Sequence, residues 1–269
     1  MQIKLNKNLT LNETQLSFFM GPCAIESKEI CDEVAQYLVS LKEEFNINLI
    51  FKASFDKANR SSLNSFRSIG FQNALKVLEH IKTKYKLPVM TDIHECWQVE
   101  KLKNIVDIIQ IPAFLCRQSD LIISAAKSGL AVNIKKGQFM AGEDMKYVLE
   151  KAHSTGNKNV FLTERGNSFG YHNLVVDFRN LSIMKNYAPI VFDITHSVQR
   201  PGLGKGKSLG DRHMAIDLAK AAAAIGVSGF FLEIHPHPEN AKSDAATMLN
   251  FKEAKTCLSQ LLKIHATHL

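Results

Sequence analysis

Short apolar runs rich in Val, Ile and Phe recur along the chain at residues 16–20, 49–51, 88–90, 106–111, 130–134, 160–162, 190–194 and 229–232. Each has the length and the β-branched or aromatic content of a strand, and none shows the apolar–polar alternation of a sheet with one wet face. Between the runs the spacing turns helical. Ile30, Val34, Leu38 and Leu41 follow i, i+4, i+8, i+11, and a helix over 211–224 meets Gly226, a good C-cap residue. The same reading predicts helices over 73–85, 97–102, 118–128, 142–155, 173–185 and 248–265. A polar leader, residues 1–15, precedes them, with a short hairpin of 2–5 against 9–11.

Eight βα units with strands this apolar predict a closed parallel barrel with its helices outside. The expectation is therefore an α/β chain, a (β/α)8 TIM barrel forming one domain over residues 1–269 with the N-terminal hairpin attached. The alternative is an open doubly wound sheet. In either fold chemistry collects at the carboxyl ends of the strands, so the residues after each run carry the functional information.

Those residues are polar and chemically specific. The first run ends in Gly21-Pro22-Cys23-Ala24-Ile25-Glu26, the second in Lys52 and then Asp56, Lys57, Asn59, Arg60, Ser61 and Ser62. The third is followed by Asp92-Ile93-His94, the fourth by Gln110-Ile111-Pro112-Ala113-Phe114, the fifth by Lys135-Lys136-Gly137 and the sixth by Glu164-Arg165-Gly166. The seventh leads into Asp193-Ile194-Thr195-His196 and the eighth into Glu233-Ile234-His235. Closing a barrel makes strands 7, 8 and 1 neighbours, which groups Cys23, His196 and Glu233, a thiolate–imidazole–carboxylate set suited to a divalent transition metal. Asp244, eleven residues after Glu233, could be a fourth ligand. His235 with His237 is a rival pair that lacks a third ligand nearby in sequence.

Lys52, Lys57, Lys135 and Arg165 come from strands 2, 5 and 6, across the mouth from the metal set. Four converging cations suit a ligand bearing several negative charges, and Arg60 with Ser61 makes a second phosphate site. Residues 199–210 hold four glycines and three cations before a helix, without the spacing of a phosphate-binding P-loop; the expectation there is a mobile lid.

Composition narrows the class of ligand. Lys and Arg outnumber Asp and Glu by 33 to 26, a net charge of +7 that is spread along the chain without a basic tail, zinc-finger spacing or aromatic–basic strand. That pattern favours small anionic substrates over nucleic acid. Five scattered cysteines, odd in number and without a CxxC pair, imply no disulfide framework and a reducing, cytoplasmic setting. No run approaches the 18 apolar residues of a membrane span, and the N-terminus lacks an apolar signal core.

GPCAIES, FKASFDKANRSS, TDIHE, QIPAFLCRQSDL, NIKKGQF, TERGNSFGY and FDITHSVQ, together with Glu233 and Asp244, resemble the 3-deoxy-D-manno-octulosonate 8-phosphate synthases, in order over about residues 16 to 250. The 3-deoxy-D-arabino-heptulosonate 7-phosphate synthases are similar but usually carry Lys-Pro-Arg-Thr where this chain has Lys57-Ala58-Asn59-Arg60-Ser61-Ser62. The resemblance implies condensation of phosphoenolpyruvate with D-arabinose 5-phosphate and water, on the route to the inner sugar of lipopolysaccharide. It implies phosphoenolpyruvate on Lys52, Lys57, Lys135 and Arg165 with Gln110 nearby, and arabinose 5-phosphate on Asn59, Arg60 and Ser61. Catalytic roles fall to Lys57, Asn59, His196 and Cys23. Phe114 and Arg117 resemble residues that reach a neighbouring subunit's site, in a family of homotetramers. Cys23 after Gly-Pro matches the metal-dependent members, so the implied ligands are Cys23, His196, Glu233 and Asp244 around iron, zinc or manganese. The chain departs from the family at Leu209, where consecutive glycines are commoner, and at His237, commonly acidic. A non-catalytic phosphosugar-binding barrel is the reading from another class.

Overall fold

The structure is a computed structural model that describes residues 1–204 and 207–268. Eight parallel strands close on themselves: β1 Ser17–Gly21, β2 Asn48–Lys52, β3 Val89–Asp92, β4 Ile108–Ile111, β5 Ala131–Lys135, β6 Val160–Glu164, β7 Ile190–Asp193 and β8 Gly229–Glu233. β8 pairs with β1 as well as with β7, which closes the barrel and removes any free edge. Eight helices surround it: α1 Lys28–Phe45, α2 Phe71–Tyr85, α3 Trp97–Leu102, α4 Ser119–Lys127, α5 Met145–His153, α6 Arg179–Lys185, α7 Arg212–Ile225 and α8 Phe251–His265. The (β/α)8 expectation holds, and the open sheet is excluded.

Local sequence explains where the helices begin and end. Ser27 caps α1 by accepting the Ile30 amide, and Asn46 closes it in the left-handed region. Asn250 and Glu253 form a reciprocal capping box at the start of α8. The helix expected over 173–185 starts only at Arg179, because Leu174–Val175 pairs with Asn167–Ser168 as a small hairpin and Asp177 then accepts the Arg179 amide. The segment expected as a lid is an antiparallel hairpin, Gln199–Gly204 against Lys207–Gly210, with residues 205 and 206 outside the described ones.

The strands bury both faces in different company. Outward-facing Phe18, Met20, Leu49, Phe51, Leu162, Phe192, Phe230 and Leu232 pack under the helices in one continuous core. Inward-facing Phe19, Ile50, Met90, Ile108, Ala131, Phe161, Val191 and Phe231 fill the lower barrel. The N-terminal hairpin, Ile3–Lys4 against Thr10–Leu11, covers that end with Ile3, Leu5 and Leu11. The floor is apolar and plugged; the opposite mouth is free for chemistry.

Candidate active site

Side chains on a strand return to the same face every second residue, so the step above each floor residue is the inner wall of the mouth. Ile50 leads to Lys52, Met90 to Asp92, Ile108 to Gln110, Ala131 to Asn133 and Lys135, Phe161 to Thr163 and then Arg165, Val191 to Asp193, and Phe231 to Glu233. All these polar residues are buried. Phe19 leads to Gly21, where a methyl group would overlap the Lys52 carbonyl oxygen; the close β1–β2 approach excludes a side chain, and the wall resumes at Cys23. A buried apolar floor thus carries a buried ionic rim.

On one side stand the cations. Lys52 Nζ donates to Ser54 Oγ at 2.9 Å and pairs with Asp92 at 3.4 Å. Lys135 Nζ lies 2.6 Å from Asp193 and 3.8 Å from the centre of the Phe231 ring, over which Lys52 also sits at 5.4 Å. Burial pulls the Lys135 ammonium below its usual range, Asp193 opposing it. Arg165 donates from Nη2 to Gln199 Oε1 at 3.0 Å, while its buried Nη1 has no protein partner among the described residues. Gln110 Oε1 is likewise buried without a donor. Lys57 reaches over from the β2–α2 loop to within 3.9 Å of Glu233, and the surrounding Cys23, Glu233, Asp92 and Asp244 raise its pKa against the effect of burial.

On the other side four candidate ligands converge. The ligand atoms of Cys23, Glu233 and Asp244 lie within 4.8 Å of one another, and His196 Nε2 is 3.5 Å from Glu233 and 3.9 Å from Asp244. The Cys23 sulfur is 3.0 Å from Asp244 Oδ2 and 2.9 Å from Ser243 Oγ. Burial, then Asp244 and Glu233, push the thiol pKa well up, so only a cation placed among these groups would make it a thiolate. Burial also opposes the Asp244 charge, yet His196 and Lys57 bring its carboxyl down to about 2. Both Glu233 oxygens are buried without a hydrogen-bond donor among the described residues. A buried carboxylate that has only the longer contacts to Lys57 and His196, and no hydrogen bond, is a costly arrangement that a metal among these groups would relieve. The donor set suits a divalent transition metal, and spacings of 3–4 Å correspond to ligand bonds of about 2.0–2.3 Å. His196 is already turned for this role: Asp193 takes its Nδ1 at 3.0 Å and its backbone amide at 2.9 Å, leaving Nε2 toward Glu233 and Asp244.

The remaining expected residues stand at the rim. Arg60 donates from Nε to the Phe66 carbonyl at 2.9 Å and from Nη2 to that of Lys242 at 3.4 Å, joining the β2–α2 loop to the loop that carries Asp244. Asn59 and Ser61 are exposed beside it. Phe114 and Arg117 are exposed in the β4–α4 connection, with no hydrogen bond or ion pair to the cluster among the described residues. His235 and His237 do not form a rival site, since His235 is buried and His237 is exposed beside Glu239.

Sequence reasoning placed Asp92 and Asp193 at strand ends and Gln199 at the start of the expected lid without giving any of them a role in the site, and it passed over Ser243. The first two end apolar runs in register with inward-facing floor residues, and that period of two could have identified them. Gln199 and Ser243 carried no signal of their own, because their partners lie 45 and 220 residues away.

Comparison with known proteins shows what the chain is similar to. Residues 1–268 match the sequence profile of the DAHP synthetase I family. A 2-dehydro-3-deoxyphosphooctonate aldolase of Fusobacterium nucleatum is 51% identical over 246 residues, 91% of this chain and 87% of that one. Proteins of the same name from Campylobacter jejuni, 49% identical over 91% of this chain and 94% of theirs, and from Francisella tularensis, 48% identical over 92% and 91%, are similar to it as well.

Proposed function

The chain belongs to the DAHP synthetase I family, and on that premise we propose that it condenses phosphoenolpyruvate with D-arabinose 5-phosphate and water to give 3-deoxy-D-manno-octulosonate 8-phosphate and inorganic phosphate. One observation carries the reading: a buried cation set and a Cys–His–Glu–Asp set face each other in one barrel mouth, tied together by the Lys57–Glu233 and Arg165–Gln199–Asp244 contacts. The relatives about half identical to the chain are named for the octulosonate product.

Lys52, Lys135, Arg165 and Lys57 hold the carboxylate and phosphate of phosphoenolpyruvate, with Arg165 Nη1 as a further donor and Gln110 nearby. Phe231 is a flat apolar surface beneath two of these cations, which keeps them apart from bulk water. Asn59, Arg60 and Ser61 hold the sugar phosphate at the rim, so that the aldehyde meets the donor inside the mouth. Carbon 3 of the enol then bonds to the aldehyde carbon, whose oxygen takes up a proton. Positive charge develops at carbon 2; water adds there and loses a proton, giving a hemiketal phosphate, whose hydroxyl gives up its proton and becomes the ketone as the C–O bond to phosphate breaks and inorganic phosphate leaves. Two anions must be held close against their repulsion, and orientation by fixed cations is the main contribution of these side chains.

Cys23, His196, Glu233 and Asp244 hold iron, zinc or manganese in this reading. Such an ion, when bound, orients the aldehyde hydroxyls or lowers the pKa of the attacking water. His196 is kept in place by Asp193, and Lys57 and Asn59 stand between the two substrate positions.

Exposed Phe114 and Arg117 reach the mouth of a neighbouring subunit in a homotetramer; Phe114, 56% exposed in a single chain, is consistent with a partner covering it. Five free cysteines fit a reducing, cytoplasmic setting, and a net charge of +7 spread along the chain fits small anionic substrates.

The test is phosphate release from phosphoenolpyruvate with arabinose 5-phosphate or erythrose 4-phosphate, before and after chelation and after returning manganese or iron. Loss and recovery of activity with the five-carbon sugar supports both reaction and metal. Preference for erythrose 4-phosphate would favour the heptulosonate reaction that the family name denotes, and no phosphate release with either would leave a binding barrel.

A further inference from the structure

Gln199 uses both ends of one buried side-chain amide to join the two halves of the mouth. Nε2 donates to Asp244 Oδ1 at 2.8 Å, and Oε1 accepts from Arg165 Nη2 at 3.0 Å. A guanidinium has only donors and a carboxylate only acceptors, so the partners dictate the amide orientation; turned over, it would set donor against donor and acceptor against acceptor. Each bond leaves the useful half of its partner free. Asp244 keeps Oδ2 toward Cys23 at 3.0 Å and His196 at 3.9 Å, and Arg165 keeps its buried Nη1 without a hydrogen-bond partner among the described residues.

The backbone of Gln199 is anchored on the same framework. It pairs with Gly210, where a methyl group would overlap Thr247, and the Asp211 amide donates to the Val198 carbonyl at 2.9 Å. Thr247 in turn donates its amide to the Asp244 carbonyl at 3.0 Å. Asp244 adopts a positive φ of 50°, an uncommon conformation for a residue other than glycine that such contacts can hold.

The geometry points to Gln199 as a positioning residue that couples the two sites, aiming Asp244 Oδ2 at the metal and Arg165 Nη1 at the anion of phosphoenolpyruvate. This rests on the proposed roles of Cys23, His196, Glu233 and Asp244 as metal ligands and of Arg165 as an anion arm. No other side chain of this reach serves both partners. Glutamate keeps Arg165 but opposes Asp244 with a like charge; lysine keeps Asp244 but opposes Arg165; leucine abandons both.

The full-length protein, depleted of metal, is titrated with Co²⁺ through its thiolate charge-transfer absorption, and phosphoenolpyruvate binding is measured by calorimetry for the wild type, Gln199→Leu, Gln199→Glu and Gln199→Lys. Gln199→Leu is expected to lose about tenfold in affinity for each, the usual cost of removing a residue that orients a ligand. Gln199→Glu should lose at least as much for Co²⁺ while holding phosphoenolpyruvate within about twofold of wild type, and Gln199→Lys should do the reverse by the same charge argument. Wild-type affinities in all three variants, or equal losses in the glutamate and lysine variants, would overturn the coupling and leave the metal reading intact. A wild-type protein that takes up no Co²⁺ would overturn the metal reading itself, and the coupling with it.

Discussion

Asp193 grips His196 by both its Nδ1 and its backbone amide while the same carboxylate binds Lys135 at 2.6 Å. A fully buried acid therefore orients a candidate metal ligand and neutralises a candidate substrate cation at once. Burial alone would raise its pKa, but His196 and Lys135 hold it well below the usual carboxylate range. Asp193→Asn keeps the shape and removes the charge. Metal affinity should fall about 10–100-fold, the range seen when such orienting partners are lost. Stability should fall by about 3 kcal/mol, because Lys135 is left as an uncompensated buried cation. Metal retained after dialysis against a chelator and urea unfolding measure the two effects; an unchanged metal content would remove Asp193 from the site.

Gly21 makes a different kind of demand. A methyl group there overlaps the Lys52 carbonyl, which is backbone and cannot swing aside. Gly21→Ala must push β1 away from β2, displacing Cys23 relative to Lys52, and should destabilise by about 1–3 kcal/mol as other overpacked core sites do. Chemical denaturation with a parallel measurement of bound metal checks this. A fully stable variant that retains its metal would mean that the two strands separate easily.

Much of this was readable from the chain. The eight apolar runs correspond to the eight barrel strands within a residue or two, because strands buried on both faces stand out against amphipathic helices. Cys23, His196 and Glu233 could be grouped because closure brings strands 7, 8 and 1 side by side, whereas Asp244, in the loop eleven residues beyond Glu233, was legible only as a possible fourth ligand and through the family resemblance. Helix α6 was readable only in its second half: Leu174, Val175 and Leu181 mimic a helical stripe, and the pairing that draws the first two into a hairpin is tertiary. Gln199 was hidden for a related reason. Its partners, Arg165 and Asp244, are distant in sequence, and it opens a glycine-rich stretch that reads as a loop.

Tyr37 links stability to pH in the outer helical layer. Its ring stacks on Phe251 at 4.0 Å and its hydroxyl donates to the Phe251 carbonyl at 2.6 Å, fastening α1 to α8. Burial raises its pKa to about 12, against about 10 in an unfolded chain. The folded state therefore keeps a proton that the unfolded state releases: the stabilisation is complete below about pH 10 and is lost as the pH climbs toward 12. Tyr37→Phe should lower stability at pH 7 by about 1 kcal/mol and flatten the decline above pH 10. Urea midpoints for both proteins across that range give the comparison, and parallel alkaline declines would exclude Tyr37 as a source.

Arg60 offers the sharpest separation of the two substrates. It sits at the rim, held by the Phe66 and Lys242 carbonyls, whereas Lys52, Lys135 and Arg165 are buried in the wall. In the proposed reading this rim cation meets the sugar phosphate, and the buried cations hold phosphoenolpyruvate. Arg60→Ala should raise KM for arabinose 5-phosphate about 10–100-fold, corresponding to roughly 1.5–3 kcal/mol for a charged hydrogen bond, and leave KM for phosphoenolpyruvate unchanged. Arg60→Lys should recover only part of the loss, since a point charge replaces the planar fork. Steady-state kinetics with each substrate varied in turn decides the matter: a rise confined to phosphoenolpyruvate would reassign Arg60 to the donor and move the sugar phosphate elsewhere on the rim.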